Sequence, residues 1–95
     1  MSSNEWFYCV MNDRYWYMYV VECSDRTLYT GVSNNLERRV LEHNASKKGA
    51  KYTRSRRPVK LVYYKRYDDR SQAQVAEYKF KKLSRSKKLA KIGGF

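Results

Sequence analysis

The stretch from Tyr15 to Cys23 reads YWYMYVVEC and is rich in aromatic and β-branched residues. These residue types suit the pleated, half-buried surface of a sheet, so the stretch predicts a strand. The polar residues 24–27 follow it, and a second β-prone run, LYTGV, extends from Leu28 to Val32. A polar turn between two such runs predicts a β-hairpin.

A helix is predicted directly after this hairpin. Residues 33–35 read SNN, and their side chains can cap the amino terminus of a helix from about Leu36 to Asn44. We expect a loop from Ala45 to Pro58. A third strand is predicted from Val59 to Tyr67, where apolar and aromatic residues occur at both parities, so we expect it to be buried on much of both faces.

The carboxyl-terminal part of the chain predicts two helices. Ser71 with Gln74 three residues later is typical of a capping box, and apolar residues from Ala73 to Leu83 recur at helical spacing. A last short helix is expected from about Ser84 to Lys91. The order β-β-α-β-α-α predicts an α+β fold with a three-stranded, mainly antiparallel sheet flanked by helices.

The length of 95 residues leaves room for one domain with one modest core. We assign residues 15–92 to this domain and residues 1–14 to an amino-terminal extension in which nothing points to chemistry.

The net charge of the chain indicates what kind of partner it binds. There are 21 Lys and Arg against nine Asp and Glu, which gives a net charge of +12. Such a field concentrates polyanions, so nucleic acid is the expected partner, with DNA favoured. Charge alone does not separate a nuclease from other small basic proteins.

Several protein classes are excluded by composition. The cysteines are Cys9 and Cys23 and the one histidine is His43, which is too few ligands in the wrong spacing for a zinc finger. The longest unbroken apolar run, residues 15–21, is far shorter than the roughly 20 residues of a membrane helix, so no membrane span is expected. Because the first residues do not resemble a secretory signal, we expect reduced thiols and an intracellular protein, cytoplasmic or nuclear.

Glu77 is the most informative acid in the sequence. It lies one turn after Ala73 and three residues before Phe80, on or beside the face of the helix that is expected to be buried. A buried carboxylate needs a partner, which is an ion pair, a hydrogen-bond network or a metal. From position alone, an ion pair with a lysine is favoured over a metal.

Arg39 and His43 are four residues apart on the first predicted helix, so both can point into one site. Taken singly, Arg39 has the alternative of a solvated surface cation and His43 that of a helix-end cation. Tyr19 and Tyr29 lie on the two strands of the hairpin, and a phenol can carry a proton when a cation lowers its pKa. Among ten tyrosines, two by themselves carry no conclusion.

The spacing of these residues resembles that of a known family. The tripeptide Tyr17-Met18-Tyr19 is followed by Tyr29-Thr30-Gly31, so the second tyrosine lies ten residues after Tyr19. Arg39 comes ten residues later and His43 four after that, with Glu77 in a later helix. This arrangement is similar to the GIY-YIG nuclease pattern, although only the tyrosine of the first tripeptide is kept. The segments 49–54 and 57–59 resemble the small stand-alone branch of that family.

The resemblance implies an activity and a set of catalytic residues. It implies a metal-dependent endonuclease that cleaves phosphodiester bonds by in-line attack of water, with one Mg²⁺ or Mn²⁺ held by Glu77. Tyr19 or Tyr29 would orient or deprotonate the water, His43 would relay the proton, and Arg39 would neutralise charge on the phosphate. The sequence does not choose between the two tyrosines.

The predicted loop after the first helix contains a cluster of cations around one aromatic residue, and we expect it to contact nucleic acid. Its members are Lys47, Lys48, Lys51, Tyr52, Arg54, Arg56 and Arg57. A solvated basic face is the alternative for this cluster. Tyr52 is expected to stack on an unpaired base.

Two alternatives to a self-sufficient nuclease stay open at this stage. One is a module that binds nucleic acid on the same fold without cleaving it, and the other is a nuclease that needs a protein partner for substrate recognition. DNA or RNA, single strands or branched and nicked duplexes, and repair, recombination or defence also stay open.

A geometric condition follows from strand alternation. Tyr19 and Tyr29 share a face of the sheet only if the residue numbers of paired positions sum to an even number. We therefore predict a bulge or an odd-length loop near residues 24–27.

Overall fold

The structure is a computed structural model that describes residues 14–45 and 48–93. The predicted amino-terminal extension lies outside the described residues except for Arg14. In chain order the elements are β1 (Trp16–Glu22), β2 (Leu28–Ser33), α1 (Leu36–Ala45), α2 (Lys51–Arg54), β3 (Lys60–Tyr67), α3 (Arg70–Lys81) and α4 (Arg85–Ile92). The predicted α+β fold is confirmed, with one short helix added to the expected order.

The three strands form one antiparallel sheet in the order β2-β1-β3. In the hairpin, Tyr19 pairs with Gly31 and Val21 with Tyr29, so the paired numbers sum to 50 in both cases. Tyr19 and Tyr29 therefore lie on the same face. Five residues, 23–27, separate β1 from β2, and the predicted odd-length loop is confirmed.

The third strand is an edge strand, which the sequence pattern did not indicate. Val20 pairs with Tyr63 but Val21 pairs with Leu61, so Val62 is an extra residue in β3 and forms a bulge. The residues of β3 are half-buried or exposed. Both faces of β3 pack against the core, as expected, but its residues are only half-buried there because the central position belongs to β1.

The central strand separates two small clusters of buried side chains. Tyr17, Tyr19 and Val21 face one side and pack with Leu36 of α1. Met18 and Val20 face the other side and pack with Phe80 of α3. The period-2 alternation of β1 thus supplies both halves of the core.

Two local predictions are corrected by the structure. The expected loop from Ala45 to Pro58 contains the one-turn helix α2, because the Ala50 carbonyl accepts hydrogen bonds from the amides of Thr53 (3.0 Å) and Arg54 (3.2 Å). Ser71 does not cap α3. The N-cap is Asp69, two residues earlier, whose carboxylate accepts the amide of Gln72 at 2.8 Å.

Among residues 14–45 and 48–93, no helix has the length and apolar character needed to cross a membrane.

Candidate active site

The hydroxyl of Tyr19 is the centre of a buried hydrogen-bond network. The side chain is 1% exposed, and its oxygen lies 2.8 Å from Nε2 of His43. Arg39 donates from Nε to the same oxygen at 3.4 Å. Since Arg39 and His43 are one turn apart on α1, the helix presents both groups to one phenol, as their spacing predicts.

Thr53 of α2 determines which nitrogen of His43 carries the proton. Its hydroxyl donates to the Ala50 carbonyl at 2.9 Å, so it accepts a hydrogen bond from Nδ1 of His43, also at 2.9 Å. The Ala50 N–H is also directed at Nδ1, which would need the other tautomer, but at 3.4 Å this contact is weaker than the hydrogen bond with Thr53. The network therefore assigns the proton to Nδ1, and Nε2 accepts the hydroxyl proton of Tyr19.

Burial keeps both partners of this hydrogen bond neutral. Removal from water, with the positive charges of Arg39 and Arg57, lowers the pKa of His43 to about 4 against the opposing effect of Glu42. Burial likewise raises the pKa of Tyr19 to about 12, although Arg39 works to lower it. At neutral pH the site holds a phenol and an uncharged imidazole. The alternative of His43 as a helix-end cation is excluded.

Tyr29 lies beside His43 and is half-buried. Its ring meets the imidazole edge-on, with centroids 5.3 Å apart and planes at 68°. Gly31, which follows two residues later, lies against the end of the Tyr19 ring. A Cβ atom there would be 2.5 Å from the Tyr19 hydroxyl, so position 31 must be glycine for the phenol to keep its place.

Arg39 is held by groups other than Tyr19 as well. Its Nη1 donates to the carboxylate of Glu42 at 3.0 Å and to the Lys48 carbonyl at 2.9 Å. The chain after α1 packs closely here, since a Cβ on Gly49 would lie 2.6 Å from the Glu42 carbonyl. These contacts anchor the segment that brings Thr53 to His43.

Glu77 approaches the site from a different helix, α3. Its side chain is 24% exposed and pairs with Lys81 at 3.3 Å, which is the lysine ion pair expected from its position. Its negative charge is among the smaller influences that raise the pKa of Tyr19, after burial. Within residues 14–45 and 48–93, no three side chains of His, Cys, Asp or Glu are grouped as metal ligands. Glu77 thus offers a single carboxylate, which is a hard oxygen donor, from a helix other than the one that carries Arg39 and His43.

The described members of the cationic cluster differ in exposure. Lys48, Lys51 and Arg54 are exposed, whereas Lys47 lies outside the described residues. Arg56 pairs with Asp25 at 3.1 Å. Arg57 donates to the His43 carbonyl and so binds the carboxyl end of α1.

Tyr52 of the same cluster is 39% exposed, and its ring already has two neighbours. The guanidinium of Arg56 lies 4.0 Å from its centroid, and the Tyr29 ring stacks at 6.0 Å. Stacking of Tyr52 on an unpaired base stays a prediction.

Sequence reasoning missed Thr53, which is fully buried and completes the network. It lies in the segment 49–54 that resembles the small branch of the GIY-YIG family, but the lysines and arginines around it led to an interpretation of this segment as a nucleic-acid contact only. A threonine two residues after a lysine carries no local signal of a partner ten residues away. The resemblance of that segment was the available signal.

Comparisons with known proteins agree with the motif. Residues 15–90 match the GIY-YIG catalytic domain. A UPF0213 protein of Desulfotalea psychrophila is 56% identical over 73 residues, which cover 77% of this chain and 66%, just under two thirds, of that relative. A UPF0213 protein of Syntrophus aciditrophicus is 54% identical over 76 residues, covering 80% of this chain and 87% of that relative.

Solved structures resemble the fold as well. The solution NMR structure of a UPF0213 protein from Bacillus halodurans has a TM-score of 0.52 and 43% identity, covering 84% of this chain and 86% of that one. The solution NMR structure of a protein from E. faecalis has a TM-score of 0.57 and 38% identity, covering 84% of this chain and 85% of that one.

Proposed function

The chain belongs to the GIY-YIG catalytic domain family, and from that membership and its site we propose a metal-dependent endonuclease that hydrolyses phosphodiester bonds in nucleic acid. DNA, single-stranded or structured, is the favoured substrate. The observation that carries the proposal is the Tyr19 hydroxyl, which is hydrogen-bonded to both His43 and Arg39 beside the half-buried Tyr29. We propose an intracellular location, cytoplasmic or nuclear, because this is where such a substrate is found.

The proposed proton route uses the network around Tyr19. Tyr29, at the more accessible edge, orients the attacking water. The water gives a proton to the Tyr19 oxygen as the hydroxyl proton of Tyr19 passes to Nε2 of His43. Thr53 keeps its hydrogen bond to Nδ1 throughout, so the imidazole receives the proton without turning.

The pKa values indicate when this transfer occurs. They are about 12 for Tyr19 and about 4 for His43, a difference of about 8. Both shifts oppose moving the proton from Tyr19 to His43, so the transfer is strongly unfavourable in the protein without substrate. Positive charge close to the phenol lowers this cost, so the transfer belongs to the substrate-bound state.

Arg39 has two functions in the proposal. Its hydrogen bond to Tyr19 fixes the phenol, and its charge favours the phenolate over the phenol. The same guanidinium would stabilise negative charge that develops on the phosphate. Its contacts with Glu42 and the Lys48 carbonyl hold it in place for both tasks.

Glu77 fits the protein ligand of a hard divalent cation. Its carboxylate is partly exposed, and oxygen is the donor that Mg²⁺ and Mn²⁺ prefer, with water and substrate phosphate completing the shell. When bound, the cation supplies positive charge to the scissile phosphate. Lys81 would then give up its ion pair with Glu77 and remain as a nearby cation.

The exposed cations Lys48, Lys51 and Arg54 are proposed to contact the nucleic-acid backbone, as Lys47 is. A protein partner would supply substrate recognition that these few contacts do not.

The test is cleavage of labelled single-stranded, duplex and branched DNA, and of RNA, with Mg²⁺, Mn²⁺ or a chelator. We expect metal-dependent cutting that falls by about 10²- to 10⁴-fold in Glu77→Gln and Tyr19→Phe. Asp68→Asn, which removes an exposed carboxylate, is the matched control and should cut normally.

Binding of the same substrates is measured in parallel. If all of these proteins bind nucleic acid in a salt-sensitive way but none cuts it, the protein is a non-catalytic binding module and not a nuclease. Cutting that appears only after a cell extract is added would support the partner-dependent nuclease instead.

A further inference from the structure

Tyr29 is held from two directions by other rings. On one side its ring meets His43 at 5.3 Å and 68°, and it also stacks on Tyr52 with centroids 6.0 Å apart and planes at 25°. The offset stack and the edge-on contact are both favourable aromatic geometries. Of the two supports, His43 is already part of the proposed mechanism, whereas Tyr52 has no assigned role there.

Tyr52 is itself fixed by Arg56. The guanidinium lies 4.0 Å from the centre of the Tyr52 ring, within the range of a cation–π contact. Arg56 also donates to the Tyr52 carbonyl at 2.8 Å. One arginine therefore holds both the side chain and the backbone of Tyr52.

Arg56 is tied in turn to the loop that precedes β2. Its Nε donates to the carboxylate of Asp25 at 3.1 Å, and its carbonyl accepts the amide of Ser24 at 2.9 Å. The hydroxyl of Thr27 donates to Asp25 at 2.6 Å, and together with Arg56 it keeps the pKa of this carboxyl below its usual value. Asp25 is therefore ionised at neutral pH, as its ion pair with Arg56 requires.

These contacts lead from the loop before β2 back to Tyr29 on β2 itself. Asp25 lies four residues before Tyr29, so the loop that starts β2 holds Arg56, Arg56 holds Tyr52, and Tyr52 packs on Tyr29. We infer that Tyr52 is a positioning residue that keeps the Tyr29 ring against His43, with the Asp25–Arg56 pair as its support. This inference rests on the proposed function only in that the placement of Tyr29 matters for cleavage.

Direct contact with nucleic acid is the competing role for Tyr52 and Arg56. A residue that only contacts the substrate changes Kd and KM and leaves the free protein as it was. A positioning residue acts before substrate binds, so its loss moves the Tyr29 ring in the free protein and lowers kcat more than it raises KM.

The first measurement is therefore NMR of the free protein with ¹³C-labelled tyrosine rings, with Tyr29 assigned by Tyr29→Phe. Tyr52→Leu should weaken the NOE contacts between the Tyr29 ring and the His43 ring, and should shift the Tyr29 signals by more than the loss of the Tyr52 ring current alone. Tyr52→Phe keeps a ring at this position and should leave Tyr29 close to wild type. Asp25→Asn should shift Tyr29 in the same direction as Tyr52→Leu, but less.

Tyr78→Leu is the matched control for Tyr52→Leu. Tyr78 is also exposed, at 60%, and also lies under a cation, with Lys82 at 4.4 Å from its ring centre. It is on α3, away from the stack, and its loss should not shift the signals of Tyr29.

Cleavage kinetics provide the second readout. Tyr52→Leu should lower kcat by up to about tenfold, the population change that a stacked aromatic pair can produce, with little change in KM or Kd. Unchanged NOE contacts between Tyr29 and His43 in Tyr52→Leu, or a loss confined to Kd and KM, would overturn the inference. If the wild type cuts nothing, the proposed function fails, and the NMR comparison alone still decides whether Tyr52 positions Tyr29.

Discussion

At the scale of single residues, burial determines the chemistry of the site. His43 is fully buried, and its two ring nitrogens contact the neutral hydroxyls of Tyr19 and Thr53. Its pKa falls to about 4 from the ordinary 6.5. An exposed histidine with the ordinary pKa would be about a quarter charged at pH 7.

The stability of the protein is predicted to depend on this histidine between pH 6.5 and pH 4. The folded pKa lies below the unfolded one, so the unfolded chain binds more protons in that window, and the free energy of unfolding falls as pH falls. The contribution is complete above about pH 6.5, and about 2 kcal/mol of it should be gone at pH 4.5.

Urea unfolding at pH 7 and pH 4.5 measures this loss. His43 is the one histidine of the chain, so His43→Gln removes the imidazole titration entirely. The variant should lose less stability over the same interval than wild type. Equal losses in the two proteins would mean that His43 is not the group responsible.

Gly31→Ala is predicted to displace the Tyr19 phenol. The added methyl would sit 2.5 Å from the hydroxyl oxygen of a ring that is packed in the core, so the ring or the strand must shift. We expect a cost of about 1–3 kcal/mol in urea unfolding and a larger fractional loss of cleavage than of nucleic-acid binding. Val32→Ala, on the opposite face of β2, is the control and should cleave at the wild-type rate. Normal cleavage by Gly31→Ala would show that the exact place of the phenol is unimportant.

At the scale of elements, α1 organises the site through its sheet-facing side and through its carboxyl end. It presents Arg39 and His43 to the sheet, and its end holds the chain that follows. Asn44 donates to the Val59 carbonyl at 3.0 Å and accepts the Val59 amide at 2.7 Å. The side chain thus pairs with the backbone as a strand would, which fixes the far end of the segment that carries Thr53.

Asn44→Ala should therefore destabilise the fold by about 1–3 kcal/mol, since both backbone groups of the buried Val59 lose their partner. Urea unfolding at pH 7 gives the value. Leu41→Ala, at an exposed position of the same helix, should change stability by no more than about 0.5 kcal/mol. A loss for Asn44→Ala as small as that of Leu41→Ala would mean that water replaces the amide.

At the scale of the whole molecule, the cations behind the net charge of +12 differ in how freely they can contact nucleic acid. Arg56 and Arg57 are engaged with Asp25 and with the end of α1, whereas Lys51 and Arg54 are exposed on the one turn of α2. Only cations that exchange water and counterions for phosphate contribute to the salt dependence of binding.

Lys51→Ala with Arg54→Ala should lower the slope of log K against log salt by about 1.8 for duplex DNA, or about 1.4 for single strands. Fluorescence anisotropy at several salt concentrations measures the slope. A double substitution of Lys87 and Lys91 by alanine removes the same charge from α4 and should change the slope less. An equal change in both variants would argue for diffuse attraction rather than contact through α2.

The sequence by itself determined the three strands and three of the four helices, whereas the common face of Tyr19 and Tyr29 depended on a strand register that the structure supplies. The predicted strands and helices depend on side-chain direction along a strand or helix, which repeats every two or 3.6 residues and is readable from spacing. The same is true of Arg39 and His43, one turn apart on α1. Only the tertiary structure decided that β1 is the central strand and that Thr53 completes the network.

The neutral state of His43 also belongs to the tertiary structure. Its partners are 24 and 10 residues away along the chain, and its charge depends on how completely the fold removes it from water. Spacing records which way a side chain points from its own element, but not which other element meets it there. Burial and hydrogen bonding are properties of that meeting, so they appear only when the chain is packed.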